Sequence, residues 1–328
     1  MSAGHPYESL TQERVMDAVE QLGYVCDARV FPLNSYENRV YQIGIEDIQP
    51  IIGKFYRPGR WSEAAIQEEH DFLSDLTAAD LPVVAPLAIE NKTLFFNDPF
   101  YFALFPRRGG HAPELSSDDD LELIGRWLAR LHQCGAEKSF AHRPTIKPAA
   151  DIAAAAEIIL SGSIIPEDYR SNYQALTQDL IRLSEQRYQG NAAQYLRLHG
   201  DLHTGNLLLR DETLYMVDFD DCVQGPAMQD IWMLLSGREE EQRQQLLVIK
   251  EGYEMFRPFP AQELPMIEVL RTRRIVHHAA WLCSRWDDPA FPAAFPWLDG
   301  HRFWSDHILH LREQVAALHE DPIELPYF

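Results

Sequence analysis

Two aspartates and one asparagine occur in this chain at the spacing that magnesium-dependent phosphoryl transfer needs. Residues 198–206 read Leu-His-Gly-Asp-Leu-His-Thr-Gly-Asn, and Val217-Asp218-Phe219 follows after a short apolar run. In catalysis of the protein-kinase kind, one Asp receives the proton of the attacking hydroxyl, and an Asn and a second Asp hold the magnesium ions at the phosphates. The spacing predicts Asp201 as the proton acceptor, Asn206 as a metal ligand, and Asp218 as both a catalytic residue and a metal ligand.

The loop around Asp201 matches the kinase catalytic loop, H-R-D-x-x-x-x-N, at its His, Asp and Asn positions, with Gly200 in place of the Arg. Gly200 and Gly205 are expected to supply the unusual backbone angles that such a turn requires. Taken singly, Asp201 and Asn206 could be turn residues, and the histidines of the loop could be structural. The joint pattern with the downstream Asp218 favours the catalytic interpretation.

A β-hairpin is predicted directly after the loop. Its strands are residues 207–210 and 213–217, joined by Asp211-Glu212, and the second strand would return Asp218 to the metal. The segment that follows, residues 219–235, is short and contains no Ser, Thr or Tyr. We therefore expect that phosphorylation of this segment does not switch the enzyme on.

These motifs are similar to those of the aminoglycoside phosphotransferase and choline kinase group, which are relatives of the protein kinases. Residues 32–41 (Pro-Leu-Asn-Ser-Tyr-Glu-Asn-Arg-Val-Tyr), residues 288–292 (Asp-Pro-Ala-Phe-Pro) and residues 295–297 (Phe-Pro-Trp) resemble the stress response kinase A family within that group. The resemblance covers nearly the whole chain. It implies an α+β, bilobal protein-kinase-like fold with a small β-sheet lobe and a larger, mainly α-helical lobe. It also implies a bacterial cytoplasmic Ser/Thr protein kinase that uses ATP and Mg²⁺.

Lys54, in a strand predicted over residues 49–56, is the candidate for the lysine that contacts the α- and β-phosphates of ATP. Because a lysine in a strand is usually only solvated, the assignment depends on an acidic partner. The helix predicted over residues 61–76, with Ser62 as its N-cap, offers two candidates. Glu69 lies on the edge of the inward face and is favoured, and Glu68 is the alternative.

The remaining nucleotide contacts are predicted at two other positions of the small lobe. Residues 34–38 stand where kinases carry a glycine-rich loop, and the resemblance implies that Ser35 lies against ATP. The alternative is an ordinary turn between strands. Backbone groups around Phe105, in the strand predicted over residues 99–106, are expected to face adenine. The boundary is therefore predicted at residue 106, between an N-terminal nucleotide-binding lobe (1–106) and a C-terminal catalytic and substrate-binding helical lobe (107–328).

Apolar periodicity predicts the other elements. Helices are expected over residues 10–22, 117–132, 151–160, 173–188, 239–256, 264–286 and 301–318, and strands over residues 37–44, 81–88 and 93–96. His132 is interpreted as a structural anchor near the catalytic loop, and Asp230 as a brace for that loop. A basic island on the predicted helix 264–286 consists of Arg271, Arg273, Arg274, His277 and His278. The island is either a solvated helix face or a contact to substrate or phosphate.

Composition limits the class of protein. Of the 328 residues 46% are apolar, yet no apolar run approaches the roughly 20 residues of a membrane helix, and no secretion signal is expected. The four cysteines are dispersed, which favours free thiols in a reducing cytoplasm. A net charge of −21 argues against nucleic acid as a partner and would suit a cationic substrate or a basic protein patch. We expect a monomer without a membrane partner.

Three functions compete. The resemblance favours a Ser/Thr protein kinase of the bacterial stress response, whose partner is a protein substrate with a Ser or Thr hydroxyl. A small-molecule kinase of the aminoglycoside, choline or homoserine kinase type would use the same catalytic residues on the same fold. A catalytically inactive nucleotide-binding scaffold is the third, and the intact Lys54, Asp201, Asn206 and Asp218 argue against it.

Overall fold

A five-stranded antiparallel sheet follows the first helix. The computed structural model describes residues 5–115, 117–188, 193–210 and 213–326. The first elements are α1 (Gln12–Glu20), β1 (Cys26–Pro32), β2 (Arg39–Ile45), β3 (Ile51–Phe55), α2 (Glu63–Ala78), β4 (Phe95–Asn97) and β5 (Phe100–Pro106). The strands are ordered β1-β2-β3-β5-β4, so β3, which carries Lys54, lies at the centre of the sheet.

Apolar side chains cover both faces of this sheet. Phe55, Phe102 and Leu104 pack with residues of α1 in one core, and Ala103 packs with Ile66 of α2 in another. Successive side chains of a strand point to opposite faces. Lys54 is paired with Ala103 across the strands and therefore lies on the face that α2 covers.

Helix α2 connects the sheet to the rest of the molecule. Its N-cap is Ser62, as predicted, whose Oγ accepts a hydrogen bond from the amide of Ala65 at 3.2 Å. Phe72 and Leu76, further along the helix, enter the largest apolar core together with Leu202 and Phe219 of the predicted catalytic region. One helix thus packs against both the lysine strand and the loop that carries Asp201.

The chain beyond β5 is mainly helical. Its helices are α3 (Asp118–Gly135), α4 (Pro148–Ser161), α5 (Glu167–Tyr188), α6 (Met228–Trp232), α7 (Glu239–Glu254), α8 (Ile267–Ser284), α9 (Ala290–Ala294) and α10 (His301–Ala317). Two small antiparallel sheets pair β6 (Tyr195–Leu198) with β9 (Val223–Pro226) and β7 (Leu207–Arg210) with β8 (Thr213–Met216). The predicted hairpin is β7–β8, and its predicted turn, Asp211-Glu212, lies outside the described residues.

The architecture confirms the predicted fold class, a small antiparallel sheet with a larger helical part, whereas the exact lobe boundary stays a prediction. The strand expected over residues 81–88 is wrong. Pro82 and Pro86 have no N–H to donate to a ladder, and the segment makes one isolated bridge, from Val83 to Met216. The helix expected over residues 264–286 begins instead as a short 3-10 turn, residues 261–266, before α8. Within the described residues, no helix is long and apolar enough to cross a membrane.

Candidate active site

The loop after β6 folds back so that its first and last polar residues meet. The Nδ2 of Asn206 donates to the carbonyl of Asp201 at 2.9 Å, and the amide of Val217 donates to the carbonyl of Asn206 at 3.0 Å. These two bonds bring the residue before Asp218 beside the catalytic loop. Because Nδ2 is bonded to the protein backbone, Oδ1 of Asn206 is the side-chain atom suited to a cation.

His199 forms hydrogen bonds to both of these segments, the loop at Asp201 and the strand end at Val217. Its Nδ1 accepts from the amide of Asp201 at 3.3 Å, and its Nε2 donates to the carbonyl of Val217 at 2.9 Å. An amide partner on one nitrogen and a carbonyl on the other require a neutral ring with the proton on Nε2. The ring is buried against Phe219, with 4.4 Å between centroids. His199 is therefore a structural residue of the loop.

Asp230 braces the catalytic loop from the helical side, as predicted. Its carboxylate is fully buried and accepts hydrogen bonds from the amides of His199 at 2.9 Å and Gly200 at 2.8 Å. His132 lies 3.4 Å away through Nε2 and meets the hydroxyl of Tyr253 at 2.9 Å through Nδ1. Burial lowers the pKa of His132, although the nearby Asp230 opposes that shift. His132 is thus the predicted anchor of this brace.

The two glycines of the loop serve different purposes. Gly200 has φ +86°, and a Cβ there would lie 2.2 Å from the carbonyl oxygen of Asp221. A side chain is therefore excluded on both conformational and steric grounds. The expectation for Gly205 is wrong, because its φ is not positive. Its constraint is steric, since a Cβ would lie 2.7 Å from the ring of His203.

Lys54 is buried at the centre of a cluster of carboxylates. Its Nζ lies 3.2 Å from Oε1 of Glu69, 3.1 Å from Oδ1 of Asp220 and 3.4 Å from Oδ1 of Asp218. Burial alone would lower the pKa of Lys54, but Asp220 and Glu69 hold it well above its ordinary value. The ammonium is therefore charged, and it contacts Asp218 as well as the two buried carboxylates. Glu68 instead accepts hydrogen bonds from the backbone amides of residues 141–143.

Three residues of this cluster, Asp220, Arg60 and Arg143, were not predicted from the sequence. Asp220 is buried and pairs with both Lys54 and Arg60, and Arg143 donates to Oε2 of Glu69 at 2.8 Å. Burial would raise the pKa of Asp220, but Arg60, Lys54 and Arg143 together lower it. Arg143 is 74 positions from Glu69, so no local spacing pointed to it. The signal for Asp220 was its place beside Phe219 in the run Asp-Phe-Asp.

Asp218 adopts a backbone conformation that an aspartate rarely occupies. Its φ and ψ are +61° and +66°, in the left-handed region, which costs roughly 1 kcal/mol for a residue with a Cβ. Its side chain is 58% exposed, whereas Phe219 and Asp220 beside it are buried. Strain of this kind persists where the surroundings enforce it, frequently at functional sites. The turn thus presents one carboxylate to solvent next to Lys54.

The oxygen donors of Asp218 and Asn206 fit a hard divalent cation. Mg²⁺ is bound in proteins through one or two carboxylates and completes its shell with water and phosphate oxygens. Among the residues that the structure describes, no group of three His, Cys, Asp or Glu is placed to hold a metal ion. Asn206 and Asp218 stay the predicted ligands of a metal that would complete its shell with water and nucleotide oxygens.

Asp201 is flanked by donors on both carboxylate oxygens. Oδ1 contacts Nη1 of Arg274, and Oδ2 lies 3.6 Å from Nε2 of His203. The Nδ1 of His203 accepts from the amide of Gly205 at 3.0 Å, which leaves the ring proton on Nε2.

The basic residues predicted on α8 have different partners. Arg273 pairs with Asp151 at 2.6 Å, whereas Arg274 pairs with Asp201. Arg274 therefore contacts the predicted catalytic residue. The sequence allowed either a solvated helix face or a contact to substrate or phosphate for this group of basic residues.

Ser35 and Phe105 lie at the predicted places in the chain. Ser35 is in the turn between β1 and β2, where its Oγ donates to the carbonyl of Asn38 at 3.1 Å. Phe105 is in β5, opposite Ile52 of β3, and its ring packs edge-on to His70. The hydrogen bond of Ser35 is one that an ordinary turn would also make. Contact of Ser35 with ATP, and of the Phe105 backbone with adenine, stay predictions.

The segment after Asp218 is well packed. Residues 222–232 are buried, and β9 within this segment pairs with β6. Such a segment differs from an activation loop that must order itself on phosphorylation. That this enzyme is not activated by phosphorylation of residues 219–235 stays a prediction.

Comparison with known proteins places the chain among phosphate-transferring enzymes. The model of the phosphotransferase enzyme family matches residues 29–271. The serine/threonine protein kinase RdoA of Salmonella typhimurium is 42% identical over 319 residues, which cover 97% of this chain and 97% of that protein. Stress response kinase A of Escherichia coli K12 shows the same identity and coverage.

Solved structures show the same fold at lower identity. The amicoumacin kinase hAmiN, in complex with AMP-PNP, Ca²⁺ and Ami, superposes with a TM-score of 0.74 at 18% identity, over 97% of this chain and 96% of that chain. At this identity the likeness concerns the fold. It confirms the predicted kinase-like architecture.

Proposed function

This chain belongs to the phosphotransferase enzyme family, and we propose that it is an ATP- and Mg²⁺-dependent Ser/Thr protein kinase of a bacterial stress response. The names of its 42% identical relatives, a serine/threonine protein kinase and a stress response kinase, support the protein substrate and the setting. The observation that carries the proposal is the meeting of charged Lys54 with exposed Asp218, beside the loop that joins Asp201 to Asn206.

In this proposal the small lobe binds and orients the nucleotide. Lys54, held by Glu69, contacts the α- and β-phosphates, Ser35 lies against the phosphates from the turn between β1 and β2, and the backbone around Phe105 faces adenine. Asn206 and Asp218 hold Mg²⁺, which neutralises phosphate charge when it is bound.

Asp201 performs the proton transfer. The oxygen of the acceptor hydroxyl forms a bond to the γ-phosphorus as the bond from that phosphorus to the oxygen shared with the β-phosphate breaks. ADP leaves, and the hydroxyl proton passes to a carboxylate oxygen of Asp201. Because the transition state is loose, positioning and electrostatic stabilisation supply most of the rate. His199 and Asp230 contribute by fixing the backbone on either side of Asp201.

The proposal is tested with γ-labelled ATP, supplied with a mixture of Ser- and Thr-containing proteins and, separately, with a panel of amino alcohols, sugars and aminoglycosides. Label in protein supports the proposal, and label only in a small molecule replaces it with the small-molecule kinase. Label in neither supports an inactive scaffold. Asp201→Asn should abolish transfer while nucleotide binding persists. The matched control is Asp306→Asn, the same change on a side chain that is 61% exposed on α10.

A further inference from the structure

The carboxylate of Asp201 is shared with a helix far along the chain. Arg274, on α8, contacts Oδ1 of Asp201 and lies 3.8 Å from the sulfur of Met233. The Arg274 side chain is 41% exposed and that of Asp201 is 26% exposed, so the pair borders solvent. The guanidinium therefore stands beside the carboxylate that receives the acceptor proton in the proposed function.

The face of α8 that carries Arg274 continues towards the nucleotide turn. His278 and Trp281 follow at the i+4 and i+7 positions, and their rings contact each other at a tilt of 41°, with 5.7 Å between the centroids. Trp281 and Arg285 both donate to Glu37, in the turn between β1 and β2. This face of α8, with Arg274, His278, Trp281 and Arg285, thus spans from the loop that carries Asp201 to the turn that carries Ser35, and forms a wall beside Asp201.

Cationic and neutral donors surround Asp201 on this side. The Nε2 of His203 lies 3.6 Å from one oxygen, beyond hydrogen-bond distance, and Nη1 of Arg274 donates to the other. Burial lowers the pKa of both His203 and His278, so these rings are neutral at physiological pH and Arg274 is the charged group of the wall nearest Asp201. A guanidinium has five N–H donors in a planar fork, and one bond to Asp201 leaves donors for a second oxyanion.

We propose that Arg274 is a specificity-determining residue that binds an acidic side chain of the acceptor, so that the enzyme prefers Ser or Thr flanked by Asp or Glu. The inference rests on the proposed protein kinase function and narrows its substrate class. An acceptor carboxylate on Arg274 would place the neighbouring hydroxyl beside Asp201. The acceptor carboxylate and Oδ1 of Asp201 would then share the guanidinium of Arg274. A cationic acceptor would meet like charge at the same point.

The test uses matched peptides that contain one Ser and carry Asp, Asn or Lys at each neighbouring position in turn. We expect kcat/KM of the wild-type enzyme for the best Asp peptide to exceed that for its Asn counterpart about tenfold, the effect of one partly exposed charged hydrogen bond. Arg274→Gln should make the two peptides equal, mainly through KM. Arg274→Glu should reverse the order and favour the Lys peptide. The control, Arg302→Glu, changes the same charge on a side chain that is 96% exposed on α10 and should keep the wild-type preference.

Each other outcome has a distinct meaning. Labelling of all wild-type peptides without an acidic preference, or an acidic preference that survives Arg274→Glu, overturns the inference and leaves the protein kinase proposal standing. Equal loss of activity on every peptide in both variants means that Arg274 acts only on the position of Asp201, which also overturns it. Labelling of small alcohols but of no peptide removes the proposed function and the inference together.

Discussion

Asp230→Asn is expected to loosen the catalytic loop without changing the shape of the side chain. In the wild-type protein one oxygen of Asp230 accepts from the amide of Gly200 and the other from the amide of His199, with His132 close to the second. An Asn has one acceptor oxygen and must turn its NH₂ group towards one of these amides. A buried amide N–H is then left without an acceptor, and a charge-assisted bond is lost.

The cost follows from these contacts. An unsatisfied buried donor costs about 1–3 kcal/mol, and a hydrogen bond to a charged group contributes a similar amount, so we expect the free energy of unfolding to fall by about 3 kcal/mol. A shift of the loop displaces Asp201, and a displacement of that kind can reduce kcat about 10²-fold. Urea denaturation measures the first effect and the phosphoryl-transfer assay the second. An Asp230→Asn enzyme with wild-type stability and wild-type kcat would refute the bracing role.

The other predictions concern Lys54, the ion pair between Arg57 and Asp288, and the pH dependence of stability. Lys54→Met should lower kcat/KM for ATP by about 10²-fold in steady-state assays, because a charged donor to the phosphates is lost; an unchanged value would remove Lys54 from the site. Asp288→Ala should lower the free energy of unfolding by about 2 kcal/mol in urea, because buried Arg57, 2.7 Å away, loses one charged hydrogen bond and is left with Glu37 as its carboxylate partner. No change would show that this ion pair is dispensable. Burial raises the pKa of Glu263 to about 7 from 4.5. The folded protein therefore holds the proton of Glu263 more tightly than the unfolded chain does. The resulting stabilisation, about 3 kcal/mol in the free energy of unfolding, is complete below pH 4.5 and is lost as the pH rises through 7. Glu263→Gln should flatten the unfolding free energy over that range, and an unaltered pH profile would contradict the assignment.

Local spacing made the core of the candidate site predictable. Asp201 and Asn206 lie within one loop, so their offset nearly determines that they meet. The pairing of Lys54 with Glu69 followed from the periodicity of a helix beside a strand. In both cases the contact depends on a few neighbouring residues and on regular backbone geometry.

Contacts made by tertiary packing were not predictable in the same way. Arg274 and Asp201 are 73 positions apart, and only the docking of α8 against the catalytic loop brings them together. The strand expected over residues 81–88 was wrong because apolar composition outweighed the two prolines in that interpretation. The role of Gly205 was also predicted wrongly. A glycine is required there because a Cβ would clash with the ring of His203, and not because the backbone has a positive φ.

The overall charge and the contacts of Asp201 favour different acceptors. The net charge of −21 suggested a cationic substrate. The structure places a guanidinium against the predicted catalytic carboxylate, and the local arrangement of charges decides the field in a cleft. The proposal of an acidic acceptor sequence rests on this local contact, and a cationic substrate stays the prediction from composition.

A crystal structure of the protein with Mg²⁺ and AMP-PNP would show whether Lys54, Asp201, Asn206 and Asp218 converge on the nucleotide and its metal. We expect side-chain oxygens of Asn206 and Asp218 to bind the metal at about 2.1 Å, the distance typical of Mg²⁺. We also expect Lys54 to contact the α- and β-phosphates and Asp201 to face the γ-phosphate without binding the metal. A nucleotide bound elsewhere, or a metal held without Asn206 and Asp218, would refute the proposed kinase site.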